Sequence, residues 1–189
     1  RSPAADETLE SMTLINASTW NGGGYNGSGI KVGILDSGFY NYSTLLGSDL
    51  PSSVTTWWAP SIGGEGTGVH GTACAEIIHD IAPNASLYLA NMGTTTEWGA
   101  AIDWFISQGV DIISCSLSWM NDGPGNGTGV IDDGVANASA AGIFWANSAG
   151  NYAKRHWMGA WNDSDGDDYM NFTAVDESNA INVSYIGQR

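Results

Sequence analysis

Short apolar runs alternate along this chain with longer segments of helical periodicity. Residues 30–35 form a continuous apolar run, bounded by Gly29 and by Ser37-Gly38. An apolar run that does not alternate predicts a strand buried on both faces. Three more runs have the same character: residues 85–90 after the turn Ala82-Pro83-Asn84, 111–117 after Gly109, and 142–147 after Ala141. Residues 54–58 predict a short edge strand. Helical periods lie between them at 70–81, at 97–108 with Trp98, Ala101, Ile102 and Phe105 on one face, and at 130–141. Strands alternating with helices of this length predict βαβ units, a parallel sheet and an α/β fold. Residues 21–29 and 121–129 are Gly- and Asn-rich loops, and no internal repeat interrupts the order. The pattern breaks near Asn151. An acidic loop follows at 162–168, and residues 180–186 then alternate as an antiparallel strand would, its partners expected beyond Arg189.

In a parallel α/β sheet, functional side chains gather at the carboxyl ends of strands and at the helix starts that follow. Asp36 ends the first strand, His70 opens a helix, Ser116-Leu117-Ser118 ends the third long run, and Ser148-Ala149-Gly150-Asn151 ends the fourth. An aspartate at a strand end is, alone, an ordinary turn or cap residue. A single histidine opening a helix says little more. Three motifs at strand ends and one at a helix start, in this order, exceed what such placements give by chance.

The segments Ile30-Lys-Val-Gly-Ile-Leu-Asp-Ser-Gly38, His70-Gly-Thr-Ala-Cys-Ala75, Ile81-Ala-Pro-Asn-Ala-Ser-Leu-Tyr88, Asp111-Ile-Ile-Ser-Cys-Ser-Leu-Ser118 and Ser148-Ala-Gly-Asn151 resemble those of the subtilisin-like (subtilase) serine peptidases. The resemblance covers roughly residues 28–153. It implies a three-layer parallel sheet of subtilisin type, incomplete at its carboxyl-terminal side. It further implies a lead-in over 1–27, a core over 28–160, and an acidic loop with the start of an inserted or partner β-module over 161–189. By the same resemblance Asp36 orients His70, His70 is the general base for a serine hydroxyl, and Asn151 donates to the oxyanion. Ser116, Leu117 and Ser118 match the strand that pairs with an extended peptide substrate.

Three departures qualify the match. Ile77-Ile78-His79-Asp80 runs straight into Ile81-Ala82-Pro83, leaving no room for the calcium-binding insertion usual in that helix. Ser118-Trp119 stands where a glycine pair is expected, which should narrow or cap the specificity pocket. No Gly-Thr-Ser motif follows Asn151, so this chain alone is expected to be inactive, with the serine on a missing segment or a separate chain. Ser148 lies on the wrong segment to substitute. The competing reading is a non-catalytic subtilase-like cell-surface or assembly module.

Composition changes the picture in two respects. Twenty carboxylates against five Lys and Arg give a net charge of −15, which argues against nucleic acid or an anionic membrane as partner. With no apolar stretch long enough to span a membrane and no leader before Arg1, the expectation is a soluble, processed chain, secreted or at the cell surface. Asn-X-Ser/Thr sequons at Asn16, Asn26, Asn41, Asn84, Asn126, Asn137, Asn162, Asn171 and Asn182 favour export and glycosylation.

Asp163, Asp165 and Asp167 have the alternating spacing that converges oxygens on calcium, with Gly166 giving the turn; a solvated acidic loop is the alternative. Asp168, Asn171 or the Tyr169 carbonyl would complete such a set. Cys74 and Cys115 read as small core residues, with a single bridge as the alternative. His79 and His156 read as surface residues, and most of the nine tryptophans as packing residues. A sheet lacking its last strands should leave an apolar edge, so the expected partners are the missing carboxyl-terminal half, another protein chain or copies of itself.

Mass spectrometry of protein from its native source is expected to find glycans on several of the loop sequons, Asn26, Asn84, Asn126 and Asn162 first. Unmodified asparagine at every one would remove the main support for export.

Overall fold

The predicted apolar runs all become strands of one parallel sheet. The computed structural model describes residues 12–119, 122–124, 126–151, 161–166 and 171. Its strands are β1 (Lys31–Asp36), β2 (Thr55–Trp57), β3 (Ser86–Asn91), β4 (Ile112–Cys115) and β5 (Phe144–Asn147), in the spatial order β2-β3-β1-β4-β5. Every pairing is parallel. The third long strand is shorter than its apolar run at both ends; at its start the Asp111 N–H still donates to the Lys31 carbonyl at 2.9 Å, while the Asp111 carboxylate accepts the Lys31 N–H at 2.8 Å.

Among the described residues the strands are accompanied by helices α1 (Ala17–Gly22), α2 (His70–Ile81), α3 (Thr95–Gln108) and α4 (Val130–Ala140), and by a 3-10 turn at Tyr42–Leu45. The short α1 falls in a stretch read as lead-in and loop. Helix α3 begins earlier than its apolar stripe because Thr94 caps it, the threonine oxygen accepting the Glu97 N–H at 3.2 Å. It ends where Gly109 takes a left-handed conformation, φ 61°. Helix α2 runs unbroken through Ile77 to Asp80.

Two apolar clusters lie among the described residues, and β1 feeds both by its alternation. Leu35 joins Trp98, Ala101, Ile102 and Phe105 of α3 and Ala138 of α4, while Val32 and Ile34 join Ala75 of α2 with Leu87 and Leu89. The result is a sheet sandwiched between helices, a three-layer α/β arrangement. The predicted buried face of α3 is fully buried in all four positions. Strand β5 departs from its prediction, for Phe144 is 67% exposed. It pairs only with β4 among the described residues.

The chain divides into two compact units, Arg1–Ala149 and Gly150–Arg189. In the second, Asp163 Oδ1 accepts the Gly166 N–H at 2.7 Å and Asn171 N–H donates to the Asn162 carbonyl at 2.7 Å. Gly166 has φ 76°, so the turn expected of it is made. The alternating run at 180–186, Asn182, His156, Trp157, Asp167, Asp168 and Tyr169 lie outside the described residues.

One carboxylate ties a long loop to the start of α3. Glu97 accepts from Ser61 N–H at 2.8 Å, Ser61 Oγ at 2.6 Å, Gly93 N–H at 3.0 Å and Thr94 Oγ1 at 3.2 Å. The Ser61 bonds foremost hold its carboxyl at a pKa of about 2. A depressed folded-state pKa contributes stability above the ordinary glutamate range, and this is lost as pH falls towards 2. Glu97→Gln is therefore expected to lower the denaturation midpoint at neutral pH and to flatten the acid limb between about pH 4.5 and 2. Urea titrations of both proteins across that range check it.

Candidate active site

The site is built where the carboxyl end of β1 meets the start of α2. Asp36 is fully buried on the central strand. A buried carboxylate must have its oxygens occupied by donors. Oδ1 accepts the Ser37 N–H at 2.7 Å and the Ser37 hydroxyl at 3.3 Å; Oδ2 lies 2.7 Å from His70 Nδ1. Because an ionised carboxylate only accepts, Nδ1 carries the hydrogen and the lone pair of neutral His70 sits on Nε2. The histidine side chain is 59% exposed. The arrangement is a base oriented from behind and open in front.

Backbone proximity makes this contact reachable. Gly71 N–H donates to the Gly38 carbonyl at 3.0 Å, and a Cβ on Gly71 would stand 2.6 Å from that oxygen and 2.8 Å from Asp36 Cβ. Only glycine lets the helix come so near. Thr72 Oγ1 donates to the Tyr40 carbonyl at 3.0 Å and fixes the first turn of α2.

Cys74 lies a turn further along α2, its Sγ 4.0 Å from His70 Nδ1. Both cysteines are free. Burial pushes the Cys74 thiol up, opposed by a hydrogen bond with Ser116, and pushes Cys115 up to about 12. Cys115 is a core residue, as read from the sequence; Cys74 is only half-buried. Asp36, His70 and Cys74 each offer a donor atom within 4.8 Å of the others, the one such cluster among the described residues. A thiophilic cation there would have to compete with Asp36 for Nδ1.

Ser116, Leu117 and Ser118 leave the sheet at the end of β4. Ser116 and Leu117 are half-buried and Ser118 is exposed. The Leu117 carbonyl accepts from Asn147 Nδ2 and Ser148 Oγ, both at 3.3 Å. Trp119 does not close the neighbouring pocket. Its ring meets Trp98 edge to face, centroids 4.4 Å apart, and forms part of the wall of an open cleft of about 650 Å³. Asn151 follows Gly150 in the second unit and is exposed.

Of the other expected residues, Asp163 is half-buried and Asp165 exposed. Asn171 departs from its glycosylation reading: it is 3% exposed, and its Oδ1 accepts from Ser164 N–H at 2.7 Å and Ser164 Oγ at 3.0 Å. Asn16, Asn41, Asn84, Asn126, Asn137 and Asn162 are exposed and Asn26 half-buried. His79 is not a plain surface residue, for its Nδ1 is buried and unbonded among the described residues. Asn91 was missed. Fully buried at the end of β3 and level with Asp36, it accepts the Ala59 N–H at 2.8 Å and donates to the Gly64 carbonyl at 2.7 Å, ordering the loop beside the site. An asparagine closing an apolar strand was the available signal.

Residues 27–188 match the subtilase family. The chain is 32% identical over 152 residues to subtilisin DY of Bacillus licheniformis, covering 74% of this chain and 54% of that protein. It is 32% identical over 155 residues to subtilisin E of Bacillus subtilis, covering 74% and 39%. The chain thus spans about half or less of the length of these curated relatives. Among solved structures, MycP1 with the N-terminal propeptide removed superposes with a TM-score of 0.55 at 15% identity, over 85% of this chain and 53% of that one. That likeness concerns the fold alone.

Replacing Asp36 with asparagine removes the acceptor that fixes the tautomer. In ¹⁵N-resolved imidazole spectra at a pH where His70 is neutral, the parent is expected to protonate Nδ1, and Asp36→Asn to shift population to Nε2. Identical spectra would show that Asp36 does not orient the ring.

Proposed function

Because the chain belongs to the subtilase family, we propose that it is the part of a secreted subtilisin-like serine endopeptidase that carries the aspartate and histidine of the triad. The serine stands on a segment outside these 189 residues or on a separate chain. The observation that carries the reading is the 2.7 Å contact between buried Asp36 and exposed His70 at the carboxyl edge of a parallel sheet. His70 Nε2 takes the proton of the serine hydroxyl as it attacks a peptide carbonyl, then returns it to the leaving amine. Asp36 holds the imidazole in register and stabilises the imidazolium. Asn151 donates its amide to the oxyanion. The substrate is a peptide in extended form, paired along Ser116, Leu117 and Ser118.

Export is supported by the acidic composition and by the exposed sequons, and among the described residues no helix is long and apolar enough to cross a membrane. Calcium is proposed for the acidic loop through Asp163, Asp165 and Asp167. The Gly166 turn suits such a loop, while Asn171 braces it through Ser164 and is not counted as a ligand.

The test is made on the protein joined to, or mixed with, its serine-bearing segment. A fluorophosphonate should label that assembly and leave the 189-residue chain alone unlabelled. In the assembly, His70→Ala is expected to lower kcat by roughly 10⁴-fold or more and Asn151→Ala by about 10²–10³-fold. Labelling of the isolated chain, or full activity of His70→Ala, would overturn the assignment.

A further inference from the structure

The cleft between the segments leaving β4 and β5 has a chemical character of its own. Three indoles line it, from Trp98, Trp119 and Trp145. Trp98 is fully buried and meets Trp119 and Trp145 edge to face, with centroids 4.4 and 5.3 Å away and interplanar angles of 67° and 66°. Neither neighbour is stacked flat on Trp98, and both are only half-buried, so part of their aromatic surface remains open. Trp145 is held in place by its Nε1–H, which donates to Asn147 Oδ1 at 3.2 Å.

Two carboxylates share the same cleft, Asp122 and Asp132. Asp132 stands in the first turn of α4. Its Oδ2 is 3.8 Å from the place a Cβ on Gly123 would occupy, which brings it close to the Asp122 segment. Neither carboxylate has an ion-pair partner among the described residues. Lys31, the one Lys or Arg among them, is spent on the Gln108 carbonyl.

Aromatic faces and carboxylates in one cleft select for a flat cation. A guanidinium stacks on indole and also pairs with a carboxylate through its planar fork, whereas an aliphatic or aromatic side chain uses only the first feature. The net charge of −15 adds a field of the same sense. Building on the peptidase reading above, we propose that this cleft seats an arginine side chain of the bound peptide, with Trp119 and Asp132 as its specificity-determining residues.

Blocked tripeptide amides Ac-Ala-Ala-X-NH₂ with X as Arg, Lys, Phe, Leu or Ala, titrated into the 189-residue chain at low salt with tryptophan fluorescence as readout, test this. Arginine should bind about tenfold tighter than leucine or phenylalanine, with lysine between. Asp132→Asn should remove most of that preference while leaving the alanine peptide unchanged, and Trp119→Gly should weaken arginine binding even where its thermal midpoint matches the parent. Added salt should erode the preference. Phenylalanine or leucine binding as tightly as arginine, or an arginine preference that survives both substitutions, overturns the inference. If the alanine peptide binds and arginine adds nothing, the inference alone fails. If no peptide binds and the serine-bearing assembly is not labelled by fluorophosphonate, the peptidase reading fails with it.

Discussion

A carboxylate with no exposure to water obliges the chain around it to supply donors. Leaving an ionised aspartate unpaired in such a place costs several kcal/mol, a large share of a domain's net stability of about 5–15 kcal/mol. Asp36 meets that demand with Ser37 on one oxygen and His70 on the other. The requirement reaches outward: the histidine must open α2, α2 must begin against Gly38, and residue 71 must lack a side chain. The hydrogen-bonded pair and the packing constraint are therefore one arrangement. A change at Gly71 would disturb chemistry and stability together.

Topology explains why the pair sits on β1. The chain fills one side of that strand with β3 and β2 and then crosses to the other with β4 and β5. The strand order thus reverses beside β1, and a crevice opens at the carboxyl ends on either side of such a switch. Asp36 stands at that point, level with Asn91 on β3. Polar side chains add braces to the loops around the crevice: Asn91 holds residues 59 and 64, and Glu97 holds Ser61 and Gly93. Hydrogen-bonded loops above a packed sheet combine a rigid Asp36 with a His70 that stays open to solvent.

Much of this was legible because periodicity reports burial directly. Non-alternating apolar runs marked the strands, and the stripe of Trp98, Ala101, Ile102 and Phe105 marked the buried face of α3 to the residue. Asp36 and His70 were legible because strand ends and helix starts concentrate chemistry in this architecture. What escaped depended on partners distant in sequence. The Asp111 carboxylate turns to the Lys31 N–H, Asn171 turns inward to Ser164, and Trp119, expected to narrow or cap the pocket, meets Trp98 and lines the wall of the cleft. Local pattern carries no information about which remote group a polar side chain meets. The short helix Ala17–Gly22 escaped for a different reason, being too brief to establish a period.

The two sides of the described sheet are finished differently. On the β2 side, Trp58 packs with Phe39 and Tyr42, centroids 5.7 and 5.5 Å away, and shields that flank with aromatic rings. On the β5 side, Ile143 is buried beside Ala138 of α4, yet Phe144 remains 67% exposed in a strand whose sequence predicts burial on both faces. Covering one such ring is worth about 1.5–3 kcal/mol. Phe144 thus leaves the apolar surface of one ring open on the last strand of the described sheet. The oxygens of Asp36 are occupied by Ser37 and His70 alone, so the orientation of the imidazole is set by β1 and the start of α2. Assembly of the proposed enzyme then adds a reacting group to a base that burial and hydrogen bonding have already fixed.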